Sequence, residues 1–231
     1  MADMVKKTYL GLGPKKFIMA ITMSLAVFIC GLLSKQEFYE IAVSALAVVT
    51  IIFLSEGKTI GCILGTVYSV AYAAVCFSRQ LYGLAFFMAF LVLPLYVISL
   101  FTWKKNQNKG AVEIKRLSAA KLILVIAASV AGYCCIFFVL GKVGSSNAPL
   151  DSLTIVFGMA GMVLLSLRYL EQWYFNIASN AAAVVIWAVK SFESASNLNF
   201  LIAAAVFVAS NVIGLVSWFR LNKKTGDQKN D

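Results

Sequence analysis

The side chains best suited to hold a ring without a charge of their own lie together in Trp173-Tyr174-Phe175-Asn176-Ile177-Ala178-Ser179-Asn180. Trp173, Asn176 and Asn180 are spaced i, i+3 and i+7, which on a helix puts them on one face, with Trp187 two further turns along it. An indole plane beside carboxamides suits a planar heterocycle, neutral or cationic, that bears hydroxyls: stacking takes the ring and neutral hydrogen bonds take the rest. The same run also fits an aromatic belt at a membrane surface, with asparagines bonding neighbouring helices. Asn180 lies two turns in, too deep for a belt, which favours the binding site.

Other chemistries lack their groups. Histidine is absent, which removes histidine metal sites and proton relays. Glu37, Glu40, Glu56, Glu113, Asp151, Glu171 and Glu193 fall in connections or near the ends of apolar runs, and none stands in the middle of one. A proton-coupled carrier ordinarily holds a protonatable group deep in its bundle. The cysteines, Cys30, Cys62, Cys76, Cys134 and Cys135, all sit in apolar runs without CxxC spacing, and form neither a disulfide framework nor a zinc site. A membrane enzyme would need a nucleophile with its base, or clustered carboxylates, at bilayer depth. What remains is binding and passage, with no enzyme activity, cofactor or metal. Facilitated diffusion is the economical expectation, with Na⁺ held by carbonyls and carboxamides left open.

The elements that must position these groups are set by solvent. Apolar residues make up 61% of the 231, charged residues only 13%, and mean hydropathy is +0.86. Such a chain cannot cover itself with polar surface, and its solvent is the lipid bilayer. Apolar runs long enough to cross a hydrocarbon core occur at about 17–33, 38–54, 60–77, 81–103, 122–141, 151–168, 173–189 and 200–219. They lack strand alternation, so the expected fold is an all-α membrane protein of eight transmembrane helices. The net charge of +10 is scattered between these runs, which argues against nucleic acid as a partner. With both termini in the cytoplasm, only Lys35, Arg79, Lys142 and Lys190 of the 20 basic residues fall outside. The charge is therefore a topology signal, expected of a multi-pass protein of the bacterial inner (plasma) membrane.

An internal repeat refines this plan. Tyr96-Val97-Ile98-Ser99-Leu100-Phe101-Thr102-Trp103 lies on Asn211-Val212-Ile213-Gly214-Leu215-Val216-Ser217-Trp218, with basic residues after both. Each copy closes a group of three spans. Two odd-numbered groups facing the same way need one crossing between them, so the expected plan is 1+3+1+3, with two parallel three-helix repeats. The boundaries are 1–36 for a cytoplasmic segment and extra first helix, and 37–104 for the first repeat. Then follow 105–150 for the cytoplasmic linker and crossing helix, 151–220 for the second repeat, and 221–231 for a cytoplasmic tail. Such a plan sets a substrate site near the midplane, between the triplets. Repeat logic adds Tyr96 and Asn211 as equivalent positions, Tyr68 at roughly the place that Asn180 holds in the other repeat, and Tyr72 one turn on. Phe90 could stack a ring, and Pro94, which frees a carbonyl, is a hinge candidate. Each also has a purely packing explanation. An assembly or anchoring subunit is the rival from another class, and the short loops and mid-span asparagines speak against it.

The order of Asp151-Ser152-Leu153-Thr154, Glu171-Gln172-Trp173-Tyr174 leading to Asn180, Gln80-Leu81-Tyr82-Gly83, and Pro94 followed by Trp103-Lys104-Lys105-Asn106 resembles the Pnu-type vitamin transporters. The likeness spans about residues 40–220, and that family is in turn related to the SWEET sugar transporters. The resemblance implies uptake of nicotinamide riboside by facilitated diffusion with alternating access, and trapping by a cytosolic substrate kinase. It also implies a Trp-x-x-Trp motif on the penultimate span. This chain keeps Trp173 and Asn180 but has Asn176 at the second tryptophan, and Tyr96 where a glutamine is expected. Relatives carrying a deoxynucleoside, thiamine or riboflavin vary here, so those cargoes are the alternatives. A homo-oligomer is allowed by the sequence and not required by it.

Overall fold

A computed structural model describes residues 12–78, 82–108, 110–144, 147–193 and 198–227. Residues 1–11, 145–146, 194–197 and 228–231, with Arg79, Gln80, Leu81 and Lys109, lie outside the described residues. The chain forms α1 (Pro14–Leu33), α2 (Phe38–Ser55), α3 (Thr59–Ser78), α4 (Tyr82–Phe87), a π-helical stretch (Met88–Val92) and α5 (Leu93–Lys105). A short hairpin of β1 (Gln107–Asn108) and β2 (Ala111–Val112) follows. The chain ends in α6 (Ala119–Val143), α7 (Ala148–Ser166), α8 (Gln172–Glu193) and α9 (Leu198–Asp227). Among the described residues, eight stretches are long and apolar enough to cross a bilayer, with α4 to α5 counting as one.

Local chemistry sets the ends. Pro14 opens α1 at a position whose N–H has no helical partner anyway, and α7 carries Pro149 in its first turn. Ser118 caps α6 through its Oγ, and Gly144, with φ of 83°, closes it. Within the fourth span, Pro94 has no N–H to give and its ring crowds the preceding turn. The backbone widens just before it, so that Leu93 N–H reaches Met88 O, five residues back.

Helices α2, α3 and α5 pack together, as do α7, α8 and α9, while α2 also meets α9 and α5 meets α7. Helix α6 packs on α7 with Ser129 as its one buried residue, and α1 lies against α2 and α9. Chain reversal at each loop gathers Lys16, Lys58, Lys104, Lys105, Arg116 and Arg220 at one end of the bundle, called here the basic end. Lys35, Lys142 and Lys190 mark the other.

At the basic end α2 and α7 stop in the same way. Ser55 Oγ donates to Ile52 O at 2.7 Å, and Ser166 Oγ to Val163 O at 2.7 Å. Gly57 and Arg168 then turn left-handed, with φ of 64° and 68°, and the amides of Lys58 and Tyr169 reach back to Phe53 O and Leu164 O. Trp103 Nε1, at the end of α5, donates to Leu165 O at 3.1 Å, and Trp218 Nε1, near the end of α9, donates to Leu54 O at 2.9 Å. Each tryptophan so ties the end of one helix group to the other group, as a second donor to a last-turn carbonyl that also accepts the N–H of Gly57 or Arg168.

The connection 106–118, expected to be only a charged linker, is a strap across this end. Val112 N–H donates to Gly57 O at 2.8 Å and Lys115 N–H to Arg168 O at 2.9 Å. Arg116 Nε pairs with Glu171 Oε1 at 3.0 Å, and Leu117 N–H binds Glu171 Oε2 at 3.1 Å. Val112 and Ile114 enter the buried core. A prediction follows from Gly57: an added Cβ would sit 3.4 Å from Val112 N and Cγ1 in a conformation L-residues resist. Gly57→Ala is expected to cost about 1–2 kcal/mol and to lower the midpoint of thermal unfolding in detergent. Arg168→Ala, at a backbone already left-handed, should lose a buried side chain with its guanidinium bond to Glu113 O and its attraction to the Glu113 charge.

Candidate functional site

Between α1, α2, α3, α8 and α9 lies a cavity of about 770 Å³, reaching from the loop at Ser34–Gln36 to the level of Asn180 and Phe207. Its volume is that of a pocket for a drug-sized ligand. Tyr68 and Tyr72 stand one turn apart on α3 with rings stacked 5.5 Å between centroids. Across from them Trp187 of α8 stacks on Phe200 of α9 at 4.4 Å. Asn180 is a carboxamide in this wall; its Nδ2 donates to Asn176 O at 2.8 Å, and its Oδ1 meets no donor among the described residues. Glu40 and Lys35 line the mouth. Flat aromatic walls, an open carbonyl acceptor and charge kept to the rim suit a ring with polar substituents.

Toward the basic end the space is filled. Trp103, Trp173 and Trp218 are each at most 2% exposed; Trp218 lies 5.7 Å from each of the other two rings. Leu54, Leu165, Leu170, Val112 and Ile114 complete the layer. The Trp173 ring rests where a Cβ on Gly214 would stand, and Asn176 is fitted in the same way against Gly161. Gly161 and Gly158 thus serve the close approach of α7 to α8, and Ser179 Oγ donates to Thr154 O at 2.8 Å across it.

The fold therefore divides the candidate residues. Tyr68, Tyr72, Asn180 and Trp187 line the cavity. Trp173, Asn176, Tyr96 and Asn211 point into the bundle but lie in packing nearer the basic end: Tyr96 over Gly65, Asn176 with Nδ2 on Gln172 Oε1 at 3.1 Å, and Asn211 with Nδ2 on Phe207 O at 2.8 Å. Phe90 departs from expectation. It stacks on Phe86 and is 63% exposed on the outer surface, because the wide turn holds Met88 and Val92 inward and leaves Phe90 between them. Pro94 stands at the seam between the π-helical stretch and α5.

Some groups went unnominated. Gln172 is 1% exposed, and its Nε2, like Trp173 Nε1, is buried without an acceptor. Buried polar groups are nearly always paired, so two orphan donors one residue apart mark a place suited to accept a polar ligand. Gln172 stands beside Trp173 in sequence, and that adjacency was the available signal. The wall supplied by α1 had none.

Comparison with known proteins follows from this geometry. The family model described as nicotinamide mononucleotide transporter matches residues 37–220. The nicotinamide riboside transporter PnuC of Neisseria mucosa (strain ATCC 25996 / DSM 4631 / NCTC 10774 / M26) is 28% identical over 188 residues, 78% of this chain and 72% of that protein. The protein of the same name from Haemophilus influenzae (strain ATCC 51907 / DSM 11121 / KW20 / Rd) is 25% identical over 182 residues, 77% of each. The crystal structure of the vitamin B3 transporter PnuC shares the fold, with a TM-score of 0.77 at 23% identity over 94% of this chain and 95% of that one.

Proposed function

The chain belongs to the nicotinamide mononucleotide transporter family, a family of membrane transporters and not of enzymes, and on that premise we propose that it carries nicotinamide riboside into the cell by facilitated diffusion with alternating access. One observation supports this above the others: a cavity of about 770 Å³ with aromatic walls and a carboxamide, open at one end of the bundle and stopped at the other by a tryptophan layer. Nicotinamide riboside is a flat cationic ring bearing a carboxamide and ribose hydroxyls. Tyr68, Tyr72 and Trp187 would stack the ring, and Asn180 Oδ1 would accept from a hydroxyl or amide. Trp173 Nε1, Gln172 Nε2, Asn176, Tyr96 and Asn211 would meet the cargo deeper, as it moves toward the basic end. The basic end faces the cytoplasm of a bacterial inner membrane by its excess of Lys and Arg, so this state opens outward.

We read α2–α5 and α7–α9 as two like-facing copies, with α6 as the crossing between them. The matched endings of α2 and α7, and the reciprocal bonds of Trp103 and Trp218, support that reading. The triplets would rock about the cavity. Pro94 serves as the hinge, since the wide turn before it already lacks regular helical bonds. Pro94→Ala is expected to slow uptake several-fold while leaving substrate affinity unchanged; equal rates in wild type and variant would remove the hinge.

Uniport only brings the cationic cargo to electrochemical equilibrium, so sustained net uptake requires a cytosolic reaction that consumes the cargo, such as phosphorylation by a kinase. In proteoliposomes clamped at zero membrane potential, uptake of labelled nicotinamide riboside should stop at the external concentration and ignore imposed proton or sodium gradients. Accumulation above that level, driven by either gradient, would overturn facilitated diffusion. Asn176 at the position of the second tryptophan keeps a second cargo in view, so deoxyadenosine, thiamine and riboflavin belong in the same assay. Response to one of these alone would change the cargo and keep the architecture.

A further inference from the structure

Helix α1 stands outside the segment matched to the family, which begins at residue 37, yet it reaches the cavity. Val27, Cys30, Gly31, Ser34 and Lys35 are all in its wall. The helix is two-sided. Ile18, Ile21, Leu25, Ile29 and Leu32, each roughly half exposed, form the stripe that faces lipid. Ala20, Ser24, Val27 and Gly31 follow one another at steps of four and three on the inward side, and the exposed cap residue Ser34 continues the line at the cavity's rim. Gly31 lets the two backbones come together, since a Cβ there would stand 2.6 Å from Ile41 Cγ1 of α2. At the basic end Lys16 Nζ holds the helix in place, 3.2 Å from Glu56 Oε1 and 2.7 Å from Ser217 Oγ.

We propose that α1 is a working wall of the transport cavity, and that Val27, Cys30, Gly31 and Ser34 limit which cargo fits. Small residues along this stripe set the width of the space facing Tyr68, Tyr72 and Asn180. A helix present only to anchor the chain would need no such face, and its cavity side would tolerate bulk as its lipid side does. Cys30 is the sharpest reporter. It is part-buried in the wall, whereas Cys134 and Cys135 are exposed on the lipid-facing α6.

The proposal rests on the transport reading above, and two measurements keep them separate. In proteoliposomes, Cys30→Trp should lower nicotinamide riboside uptake at least tenfold, with Ile29→Trp, one residue away on the lipid face, equal to wild type. Wild-type uptake together with unchanged uptake by Cys30→Trp would overturn the wall and leave the transporter standing. No wild-type uptake of any cargo would instead sink the transport reading. The second measurement needs neither cargo nor a folded variant: whole cells are treated with a membrane-impermeant methanethiosulfonate and the labelled peptides are read by mass spectrometry. Cys30 should be labelled, and Cys134 and Cys135 spared. Cys30 spared, whether or not Cys76 on the facing wall is labelled, would overturn the proposal.

Discussion

Asn180→Leu is expected to reduce nicotinamide riboside uptake and binding by ten- to a hundredfold in a protein that still folds. Leucine keeps the size of the side chain and removes its polar atoms. The side-chain Nδ2 of Asn180 is spent within its own helix, on Asn176 O, and that carbonyl keeps its regular helical bond when the side chain is replaced. The carbonyl oxygen has no donor among the described residues, and Asn180 lines the cavity. A cargo hydroxyl or amide that meets leucine there is desolvated without a partner, at a cost of about 1–3 kcal/mol, which gives the factor above. Binding by calorimetry on the purified variant, with its unfolding midpoint as a control, checks it. Affinity equal to wild type would move the cargo away from this wall. Trp173→Ala is a poorer test, because the indole is packed on Trp218 and Gly214 and its removal opens a void in the core.

The second large effect is expected at the tryptophan layer. Trp218→Phe keeps a ring beside Trp103 and Trp173 but removes the indole donor to Leu54 O, which keeps only Gly57 N–H at 3.0 Å, and Trp103→Phe does the same at Leu165 O, which keeps Arg168 N–H at 3.0 Å. Each should cost about 0.5–1.5 kcal/mol, and since that bond joins two groups of helices, the cost falls on the closed arrangement of the basic end. Tenfold in population corresponds to about 1.4 kcal/mol, so either variant should open this end several-fold more often. Cys62, fully buried in the same cluster, supplies the readout. It should resist a thiol reagent applied from the basic side in wild type and react several-fold faster in Trp218→Phe. An unchanged rate would mean that these bonds are not part of a gate.

The membrane-spanning helices were legible because each is one long apolar run, and the bilayer offers a backbone few other choices. The hairpin at 107–112 was not, since its two short strands are held by Gly57, Lys58 and Thr59, residues distant in sequence. Within the candidate site, the i, i+3, i+7 spacing on α8 correctly puts Trp173, Asn176 and Asn180 toward the bundle. Periodicity gives direction, not depth. Trp173 and Asn180 are about 10 Å apart along the axis, enough to set one in the closed layer and the other in open space. Phe90 could not be aimed from spacing because a wide turn begins two residues before it. The part taken by α1 was hidden for another reason: nothing in a run such as Val27 to Ser34 tells a lipid-facing helix from a cavity wall until its neighbours are known.

The most direct test of the whole reading is an experimentally solved structure of the protein with nicotinamide riboside bound in a lipid nanodisc. The pyridinium should lie between the Tyr68/Tyr72 pair and Trp187, with a polar group of the cargo within hydrogen-bond distance of Asn180 Oδ1. Cargo bound on a lipid-facing surface, or a site that leaves Asn180 untouched in every captured state, would contradict it.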